Sequence, residues 1–421
     1  MNNNKLVAAF IIVLLGVFPG IEAQYYVKLS NSLPIQRFDE PVVLLRDSIE
    51  KKTGLFGNKL TFLIKTANGE TVPSQTDDID GDGRWDELAV LLDFNAGETV
   101  QLILEPITHE LLPPFRQRAH VHLGVSCERN NVFTRVLEET RPKNHVAQSL
   151  PFLYQYEGPG WENDKLAFRT YFDSRNGKDV FGKLVPDMII DSIGLPGKSY
   201  HEMSYWGMDV LKVGKSLGVG AIAVTDGDSI YRLGETGAAL YKAIADGPVR
   251  AVFTLNYQNW NIHGDILSFS EQITIWGGKY HFSSKAALAG NEAHKYSLVT
   301  GITTLHLIDE GYISEFDSSA NGHKIIAINN VLSENNDFLA LGLMANTADY
   351  KSWFRAPETG IGDAIIKTAC MVFNSGQKPF VEFHVFAGWE KTDIRFKTDR
   401  LLNTIMQNEA LRLSNKIVII Y

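Results

Sequence analysis

Cysteine is scarce in this sequence, which has 421 residues but only Cys127 and Cys370. In an exported protein these two thiols could pair, although burial of both as small apolar side chains is the more common arrangement in a core of this size. Beyond the N-terminus, the sequence also lacks an apolar run long enough to cross a bilayer. The length is sufficient for two domains, or for one large β domain with a smaller partner.

Positive charge is in the minority, since 40 Lys and Arg residues stand against 49 Asp and Glu residues and the net charge is −9. This balance disfavours nucleic acid or an anionic membrane as the main partner, whereas a local group of arginines can still bind an anionic substrate at contact range. The sequence also lacks the P-loop, the Rossmann glycine motif, HExxH and GxSxG. No organic cofactor is expected.

The N-terminus has the pattern of a Sec signal peptide over residues 1–23. Lys5 supplies the positive charge, residues 6–17 form an apolar segment, and Ala23 is the small residue before a cleavage site at Gln24. The apolar segment is too short and wrongly flanked for a membrane span. Because no cysteine stands at the cleavage site, a lipid anchor is not expected, and the sequence predicts an exported, periplasmic protein.

Residues 24–110 alternate short apolar runs, such as KLTFLIKT and ELAVLLDF, with turn signals, and this pattern predicts an N-terminal β-sandwich. Within it, TDDIDGDGRWDEL has the acidic spacing of a calcium loop, with Gly83 at the sharp turn. The predicted ligands are Asp78, Asp80, Asp82 and Asp86. Ala89 stands where an EF-hand has its bidentate glutamate, and the flanks are strand-like. An acidic hairpin turn without a structural Ca²⁺ is therefore an equal alternative.

Residues 111–150 are less regular and are interpreted as a linker with the first strands of a second domain. The prolines and the basic run in this segment lead into the strand-like HVHLGVSC. His120 and His122 share one face of this predicted strand and could form a metal pair. Because no third ligand lies nearby in the sequence, two plain surface histidines are the favoured interpretation.

Strand-like segments dominate residues 151–398, and only the tail KTDRLLNTIMQNEALRLSNKI has helical spacing. In KLAFRTYFD, Leu166 and Phe168 lie on one face, whereas Arg169 and Tyr171 lie on the other. One face therefore packs in a core, and the other lines a polar cleft. Long strands without intervening helices predict an all-β fold of stacked antiparallel sheets, followed by a short C-terminal helix.

Rings and charges are unusually dense between residues 154 and 214, in the segments GPGWENDKLAFRTYFDSRN and SYHEMSYWGMDVLKVGKSLG. A pocket for a polar, ring-shaped, anionic ligand needs this mixture: aromatic faces for stacking, cations for pairing and titratable groups for proton transfer. We therefore expect the functional site in this stretch.

These two segments, together with DDIDGDGRWDEL, resemble a domain-of-unknown-function family that is common in polysaccharide-utilisation loci of marine and gut Bacteroidetes. The resemblance covers nearly the whole mature chain and extends to an oligosaccharide dehydratase of ulvan degradation in a marine flavobacterium. It implies that the N-terminal sandwich is followed by a large antiparallel β-supersandwich over residues 151–421, like that of galactose-mutarotase relatives.

The resemblance also implies an anionic oligosaccharide substrate. Its non-reducing end would be a saturated glucuronic or iduronic acid linked to sulfated rhamnose, and loss of water would leave a 4,5-unsaturated uronic acid. Such an elimination needs neutralisation of the substrate carboxylate, a base for the C5 proton and an acid for the departing 4-hydroxyl. A positioned donor is worth about 3–4 kcal/mol and a general acid or base about 10²–10⁴-fold in rate, so both are needed.

Residue chemistry selects the candidates for these tasks. The expected catalytic residues are His201, Tyr200, Tyr205 and His263. The expected substrate-binding residues are Arg169 and Arg175 for the anion, Trp206 and Trp260 as sugar platforms, and Tyr171, Glu162 and Asp173 as polar supports. Each has a structural alternative: a solvated turn for the second arginine, a core position for the indoles, and a loop hydrogen bond for the histidines. A catalytic metal between His201, Glu202, His263 and an aspartate is left open.

Other function classes fit the same composition. A polysaccharide lyase or a glycoside hydrolase acting on uronate-containing glycans would shorten the oligosaccharide, whereas a dehydratase preserves its length. A mutarotase-like epimerase would change configuration without any change in mass. A non-catalytic carbohydrate-binding protein would bind the sugar and form no product. The oligomeric state does not follow from the sequence.

Overall fold

The computed structural model describes residues 25–421 except residues 58, 144, 146–151, 198, 310–312, 319–321 and 375–378. The expected signal peptide, residues 1–23, lies outside this described part. Among the described residues, no helix combines the length and the apolar character that a membrane crossing requires.

Strands make up most of the regular structure. The first half of the described chain contains β1 (Tyr25–Ser30), β2 (Arg37–Leu45), β3 (Leu60–Thr66), β4 (Ser74–Asp77), β5 (Glu87–Phe94), β6 (Thr99–Thr108), β7 (Ala119–His122), β8 (Gly124–Val125), β9 (Thr134–Arg135), β10 (Glu138–Arg141), β11 (Gly160–Asn163), β12 (Leu166–Thr170), β13 (Lys178–Lys183) and β14 (Gly207–Asp209). The second half contains β15 (Val219–Thr225), β16 (Ile230–Arg232), β17 (Ala239–Asp246), β18 (Arg250–Ile262), β19 (Asp265–Trp276), β20 (His281–Ala289), β21 (Ser297–Thr303), β22 (Ile313–Ser318), β23 (His323–Leu332), β24 (Phe338–Asn346), β25 (Tyr350–Arg355), β26 (Thr368–Phe373), β27 (Val381–Trp389) and β28 (Val418–Ile420). The α-helices are α1 (Arg46–Thr53), α2 (Arg395–Thr398) and α3 (Leu401–Ser414).

Two small antiparallel sheets form the N-terminal sandwich. One has the strand order β28-β1-β6-β3, and the other has the order β2-β5-β4. Alternate apolar residues of both sheets build a shared core, which includes Val27, Leu29, Leu44, Phe62 and Val90. Because β28 pairs with β1, the C-terminal strand completes this sandwich, so the sandwich extends beyond the predicted segment 24–110.

The larger part of the protein is a two-layer sandwich. One layer is a nine-stranded antiparallel sheet with the order β10-β17-β18-β19-β20-β27-β24-β23-β22. The facing layer consists of two five-stranded sheets, β14-β13-β12-β11-β7 and β16-β15-β21-β26-β25. Between the layers, the ring of Trp161 lies 5.2 Å from that of Phe253 and 5.1 Å from that of Phe282. The predicted all-β supersandwich is confirmed.

The predicted C-terminal helix is present as α3. Its buried residues Leu402, Met406 and Ala410 recur every fourth position and therefore lie on one side of the helix. They pack against the outer face of the nine-stranded sheet, beside Met344 and Phe386. The helix thus covers apolar side chains that the two-layer core cannot reach.

The segment 111–150, interpreted as a linker with first strands, contributes β7 and β10 to the larger sandwich. β7 pairs with β11, and all four of its residues are buried, whereas β10 pairs with β17 at the edge of the nine-stranded sheet. The two cysteines are free, with Cys370 buried in β26 and Cys127 exposed. The interpretation as two buried thiols therefore holds only for Cys370.

The five-stranded sheet β14-β13-β12-β11-β7, called the site sheet below, carries opposite chemistry on its two faces. Trp161 and Phe168 point into the core, because side chains alternate along each strand. On the other face, four directly paired positions of neighbouring strands form a row. Three of them carry polar side chains, and the row consists of His122, Gly160, Arg169 and Asp179. Residues 184–197 and 199–206, called the covering segment below, lie over this polar face, where Ile190 and Trp206 pack with Phe181.

Candidate active site

Arg169 is the centre of a buried ion network on the polar face of the site sheet. Its side chain is 2% exposed, and its Nη2 donates to Asp179 Oδ2 at 2.7 Å and to Asp209 Oδ2 at 2.9 Å. Its Nη1 donates to the phenol oxygen of Tyr200 at 3.1 Å, and its Nη2 to that of Tyr171 at 3.3 Å. The structure thus places Arg169 among protein acceptors on the polar face of the site sheet, whereas the sequence predicted direct contact with a substrate anion.

Two carboxylates face this one guanidinium. Burial in the first place, and the adjacent carboxylate of Asp179 in the second, raise the pKa of Asp209 well above its usual range, against the opposing charge of Arg169. Burial likewise raises the pKa of Asp179. Both effects favour the protonated form of Asp209.

His201 lies beside Asp209. Its Nδ1 lies 3.4 Å from Asp209 Oδ2, and its ring centroid is 4.4 Å from that of Tyr200. The imidazole is 64% exposed, so one side of the ring faces solvent while the other faces the buried network. Partial burial and the charge of Arg169 hold the pKa of His201 below its usual value. The imidazole is thus neutral at neutral pH and able to accept a proton.

Tyr200 lies between the imidazole and the buried arginine. Burial raises the pKa of this phenol, so it keeps its proton at neutral pH. The hydrogen bond from Arg169 to the phenol oxygen would stabilise a phenolate if the proton were given away. The structure therefore places the rings of His201 and Tyr200 side by side, 4.4 Å apart between centroids.

A second arginine extends the network toward the surface. Arg175 Nη2 donates to Glu157 Oε1 at 2.9 Å and to Asp173 Oδ2 at 2.6 Å, and its guanidinium lies 4.2 Å from the ring centre of Tyr171. Glu157 Oε2 is also 3.5 Å from Arg169 Nη1, so Glu157 links the two arginines. The side chain of Arg175 is 34% exposed and can meet an anion from solvent.

A cleft of about 630 Å³ begins at the turn that carries Arg175, because Ser174 is one of its lining residues. Arg141 and Lys143 give this cleft a basic wall, and Asn259 and Asn261 add amides. The Nε and Nη1 groups of Arg141 are buried and make no hydrogen bond within the described part of the chain. Such unpaired donors favour an anionic group of a ligand as their partner.

Tyr205 and Trp206, two further predicted residues of the same segment, differ in exposure. Tyr205 is 76% exposed and lies on the wall of a smaller cavity of about 320 Å³. Trp206 lines the same cavity, yet its ring is almost wholly buried against Phe181, with centroids 6.1 Å apart. The indole therefore serves mainly to hold this segment on the site sheet.

Three other predictions need correction. Glu162 is fully buried, where it pairs with Lys183 Nζ at 2.5 Å, so it cannot hold a sugar hydroxyl. Trp260 is buried in the main core, because a β-bulge between Tyr257 and Trp260 reverses the alternation of faces along β18. His263 lies at the turn between β18 and β19, where its ring contacts Tyr231 and not the Arg169 network.

His120 and His122 are not surface residues, contrary to the favoured interpretation. Both are buried on β7, and Asp191 from the covering segment reaches them with Oδ1 at 2.6 Å from His120 Nε2 and 3.0 Å from His122 Nδ1. Burial opposes protonation of His120, but hydrogen bonds to Asp191 and to Asp246 raise its pKa to about 9. Sequence spacing could not reveal this group, because Asp191 comes from a distant loop.

The acidic loop forms a turn between β4 and β5. Carboxylate oxygens of Asp78, Asp80 and Asp86 lie within 4.8 Å of one another, which is close enough for one cation. Asp82 is outside this group, and its Oδ1 accepts the N–H of Arg84. The same carboxylates also accept backbone N–H groups. The carboxylate of Asp78, for example, accepts the N–H groups of Gly81 and Gly83.

Residues 29–419 match the family model described as "Domain of unknown function (DUF4861)", and the chain belongs to this family. A curated relative, "Uncharacterized protein P7" of Formosa agariphila, is 31% identical over 204 residues, which are 41% of this chain and 50% of the relative. This chain thus spans about half the length of that relative.

Two solved structures are similar to this chain at 8% sequence identity. They are an alpha-mannosidase from Enterococcus faecalis V583, with a TM-score of 0.48, and a protein in the Glycosyl Hydrolase Family 38 from Enterococcus faecalis, with a TM-score of 0.49. Each similarity covers 94% of this chain, but only 46% and 47% of those chains respectively.

Proposed function

We propose that this chain is a carbohydrate-active dehydratase that removes water from a saturated uronic acid at the non-reducing end of an anionic oligosaccharide. The proposed substrate is glucuronic or iduronic acid linked to sulfated rhamnose, as in ulvan oligosaccharides, and the product is the 4,5-unsaturated uronic acid. The observation that carries the proposal is the exposed imidazole of His201, set between the buried carboxylate of Asp209 and the phenol of Tyr200.

His201 is suited to remove the C5 proton. This proton lies next to the carboxylate carbon, so its removal builds negative charge on the carboxylate oxygens and leaves an imidazolium behind. The lowered pKa keeps His201 neutral before the step, and the carboxyl group of Asp209, 3.4 Å from Nδ1, orients the ring. Such a base contributes about 10²–10⁴-fold in rate.

Tyr200 is suited to protonate the departing 4-hydroxyl. Its phenol keeps its proton at neutral pH, and Arg169 stabilises the resulting phenolate through the 3.1 Å hydrogen bond. The buried arginine thus acts on the substrate only through Tyr200. Arg169 is therefore a positioning residue in this proposal, and the two phenols beside it orient the network.

Arg175 and the basic cleft next to it support an anionic substrate. The exposed part of Arg175 can pair with the uronate carboxylate, and the unpaired donors of Arg141 can bind a sulfate on the next sugar. Guanidinium groups suit both partners, because their planar donors match two oxygens at once. Arg141 and Ser174, the neighbour of Arg175 in the sequence, both line this cleft.

Product analysis tests the proposal. With an oligosaccharide that ends in a saturated uronate, the wild-type protein should give a product lighter by one water, with the ultraviolet absorbance of a conjugated double bond. His201→Ala should abolish this product. His294→Ala is the matched control, since His294 is an exposed histidine that bonds only to Asn291 O among the described residues, and it should retain activity.

The other outcomes contradict the proposal in distinct ways. A shortened oligosaccharide would identify a lyase or a glycoside hydrolase, and an altered configuration at constant mass would identify an epimerase. Binding without any product from the wild-type protein would identify a carbohydrate-binding protein. Full activity of His201→Ala would remove His201 from the mechanism even if water is lost.

We also propose a structural Ca²⁺ in the acidic loop and a periplasmic location. The convergence of Asp78, Asp80 and Asp86 supports the first, because hard oxygen ligands at this density suit Ca²⁺. The pattern of residues 1–23 supports the second.

A further inference from the structure

We propose that His120, His122 and Asp191 bind one divalent transition-metal ion of the Zn²⁺ type, at the edge of the site sheet. The inference rests on this geometry and not on the proposed dehydration. The three ligand atoms, one from each residue, lie within 4.8 Å of one another. Two imidazoles and a carboxylate are a common set of three protein ligands for a zinc ion that keeps its fourth position open.

The distances around Asp191 fit a small cation after a slight rotation. The Oδ1 atom lies 2.6 Å from His120 Nε2 and 3.0 Å from His122 Nδ1. Ligand atoms around a tetrahedral zinc ion are about 3.4 Å apart, because the bonds are about 2.1 Å long. The Asp191 side chain is 63% exposed, so its carboxylate can move outward by the roughly 0.4–0.8 Å that this spacing requires.

His122 carries the second, independent observation. Its ring is buried, and Nδ1 points toward Asp191 but makes no hydrogen bond of acceptable geometry within the described chain. A buried nitrogen without a hydrogen bond costs free energy unless something else binds it. A metal ion between His122 and Asp191 would satisfy it.

In each imidazole, the ring nitrogen that does not face Asp191 has a hydrogen-bond partner, as is usual for metal-binding histidines. His120 Nδ1 lies 2.9 Å from Asp246 Oδ1, and His122 Nε2 lies 3.0 Å from Gln155 Oε1. These partners fix which nitrogen of each ring faces Asp191. Gln155 also donates from Nε2 to the carbonyl of Asp191 at 3.1 Å, so one side chain orients two of the three ligands.

The main chain next to Asp191 is fixed as well. Glu162 Oε1 accepts the N–H groups of Ile189 and Ile190 at 2.6 and 2.9 Å. Glu162 is itself opposite His120 in the pairing of β11 with β7. The third ligand is therefore held over the two histidines by the strand beside them, before any ion binds.

The ligand set also selects the kind of ion. Imidazole nitrogens suit zinc, iron, copper or nickel and are poor ligands for Ca²⁺ and Mg²⁺. The exposure of Asp191 leaves the metal accessible from solvent, so water or an oxygen atom of a ligand can occupy the remaining position. The competing arrangement is metal-free, with His120 as an imidazolium between Asp191 and Asp246.

Calorimetric titration of the chelator-treated mature chain with Zn²⁺, in excess Ca²⁺ to occupy the acidic loop, distinguishes the two arrangements. The wild-type protein should bind one equivalent. Asp191→Asn should lower the affinity by more than the roughly 10–100-fold that loss of a supporting group costs. Asp187→Asn is the matched control, because Asp187 is an exposed aspartate of the same segment, 3.2 Å from Arg116, and should leave the affinity unchanged.

Co²⁺ provides a readout that does not depend on the variant. The wild-type protein loaded with Co²⁺ should show the visible absorption of a four- or five-coordinate ion, and Zn²⁺ should displace it. Absence of Zn²⁺ uptake by the wild-type protein, equal uptake by Asp191→Asn, or the spectrum of fully hydrated Co²⁺ would each overturn the proposal. The metal-free ion pair would then be the role of these histidines.

Discussion

Removing the charge of Glu162 should destabilise the protein and loosen the segment that covers the site sheet. Glu162 is fully buried on β11, where its Oε2 is 2.5 Å from Lys183 Nζ and its Oε1 accepts the N–H groups of Ile189 and Ile190. In Glu162→Gln, the amide keeps the shape and an acceptor oxygen, but the buried ammonium of Lys183 loses its counter-charge. The perturbation is therefore mainly electrostatic.

The expected magnitude follows from burial of both partners, whose side chains are 0% exposed. Loss of one partner of a buried ion pair costs about 3–5 kcal/mol, since the remaining charge is left without compensation. Unfolding entropy of about 2.1 cal/mol/K per residue gives roughly 0.8 kcal/mol/K for a chain of this size. The melting temperature should therefore fall by about 4–6 °C.

Differential scanning calorimetry measures this shift, and limited proteolysis within residues 184–206 reports the loosened segment. Glu292→Gln is the control, because its pair with Lys295 is on the surface and should contribute no more than about 1 kcal/mol. The double variant Glu162→Gln with Lys183→Met removes the uncompensated charge and should recover part of the lost stability. A change below about 1 kcal/mol in Glu162→Gln would refute the reasoning, because a buried pair could not then be the anchor.

Asp209→Asn should lower kcat by less than loss of His201 itself, because it alters the carboxyl group that orients the imidazole. Steady-state kinetics on the uronate-terminated oligosaccharide measure this change. The acid limb of kcat/KM should lie below pH 6.5, since neutral His201 is the active form and its pKa is lowered. Chelation of Ca²⁺ should lower the melting temperature, and Asp80→Asn should remove that shift. Burial lowers the pKa of His281 to about 3, so it is neutral in both states above pH 6.5, and stability should fall as the pH drops from about 6.5 toward 3 while only the unfolded chain gains the proton. Thermal melts of His281→Phe should show a weaker decline over that range.

The fold was largely predictable because its signals are local. Alternation of polar and apolar residues gives strands, and the fourfold spacing of Leu402, Met406 and Ala410 gives the helix α3. Partnerships between distant strands have no such signal. The short β28 completes the N-terminal sandwich through pairing with β1 from the other end of the chain, and nothing in its few residues specifies that partner.

The site was predictable in part, for the same reason. Tyr200 and His201 are adjacent in the sequence, so their chemistry could be seen together. The partners of Arg169 could not, because Asp179 and Asp209 approach it through the pairing of β12, β13 and β14. A single bulge was enough to move Trp260 from the predicted polar face into the core, since one extra residue reverses the alternation.

The covering segment contributes residues to both candidate centres, the metal site and the Arg169 network. Asp191 faces the paired histidines at the edge of the site sheet, whereas Tyr200 and His201 face the Arg169 network near its centre. Between them, Gly194 has a φ of +66°, and an added Cβ would lie 3.4 Å from the ring of Tyr156 and 3.3 Å from that of Tyr200. A larger residue at Gly194 would therefore strain the backbone and push the segment away from both centres. If Glu162 anchors this segment as proposed, metal binding and proton transfer share one support, and a change there should weaken both together.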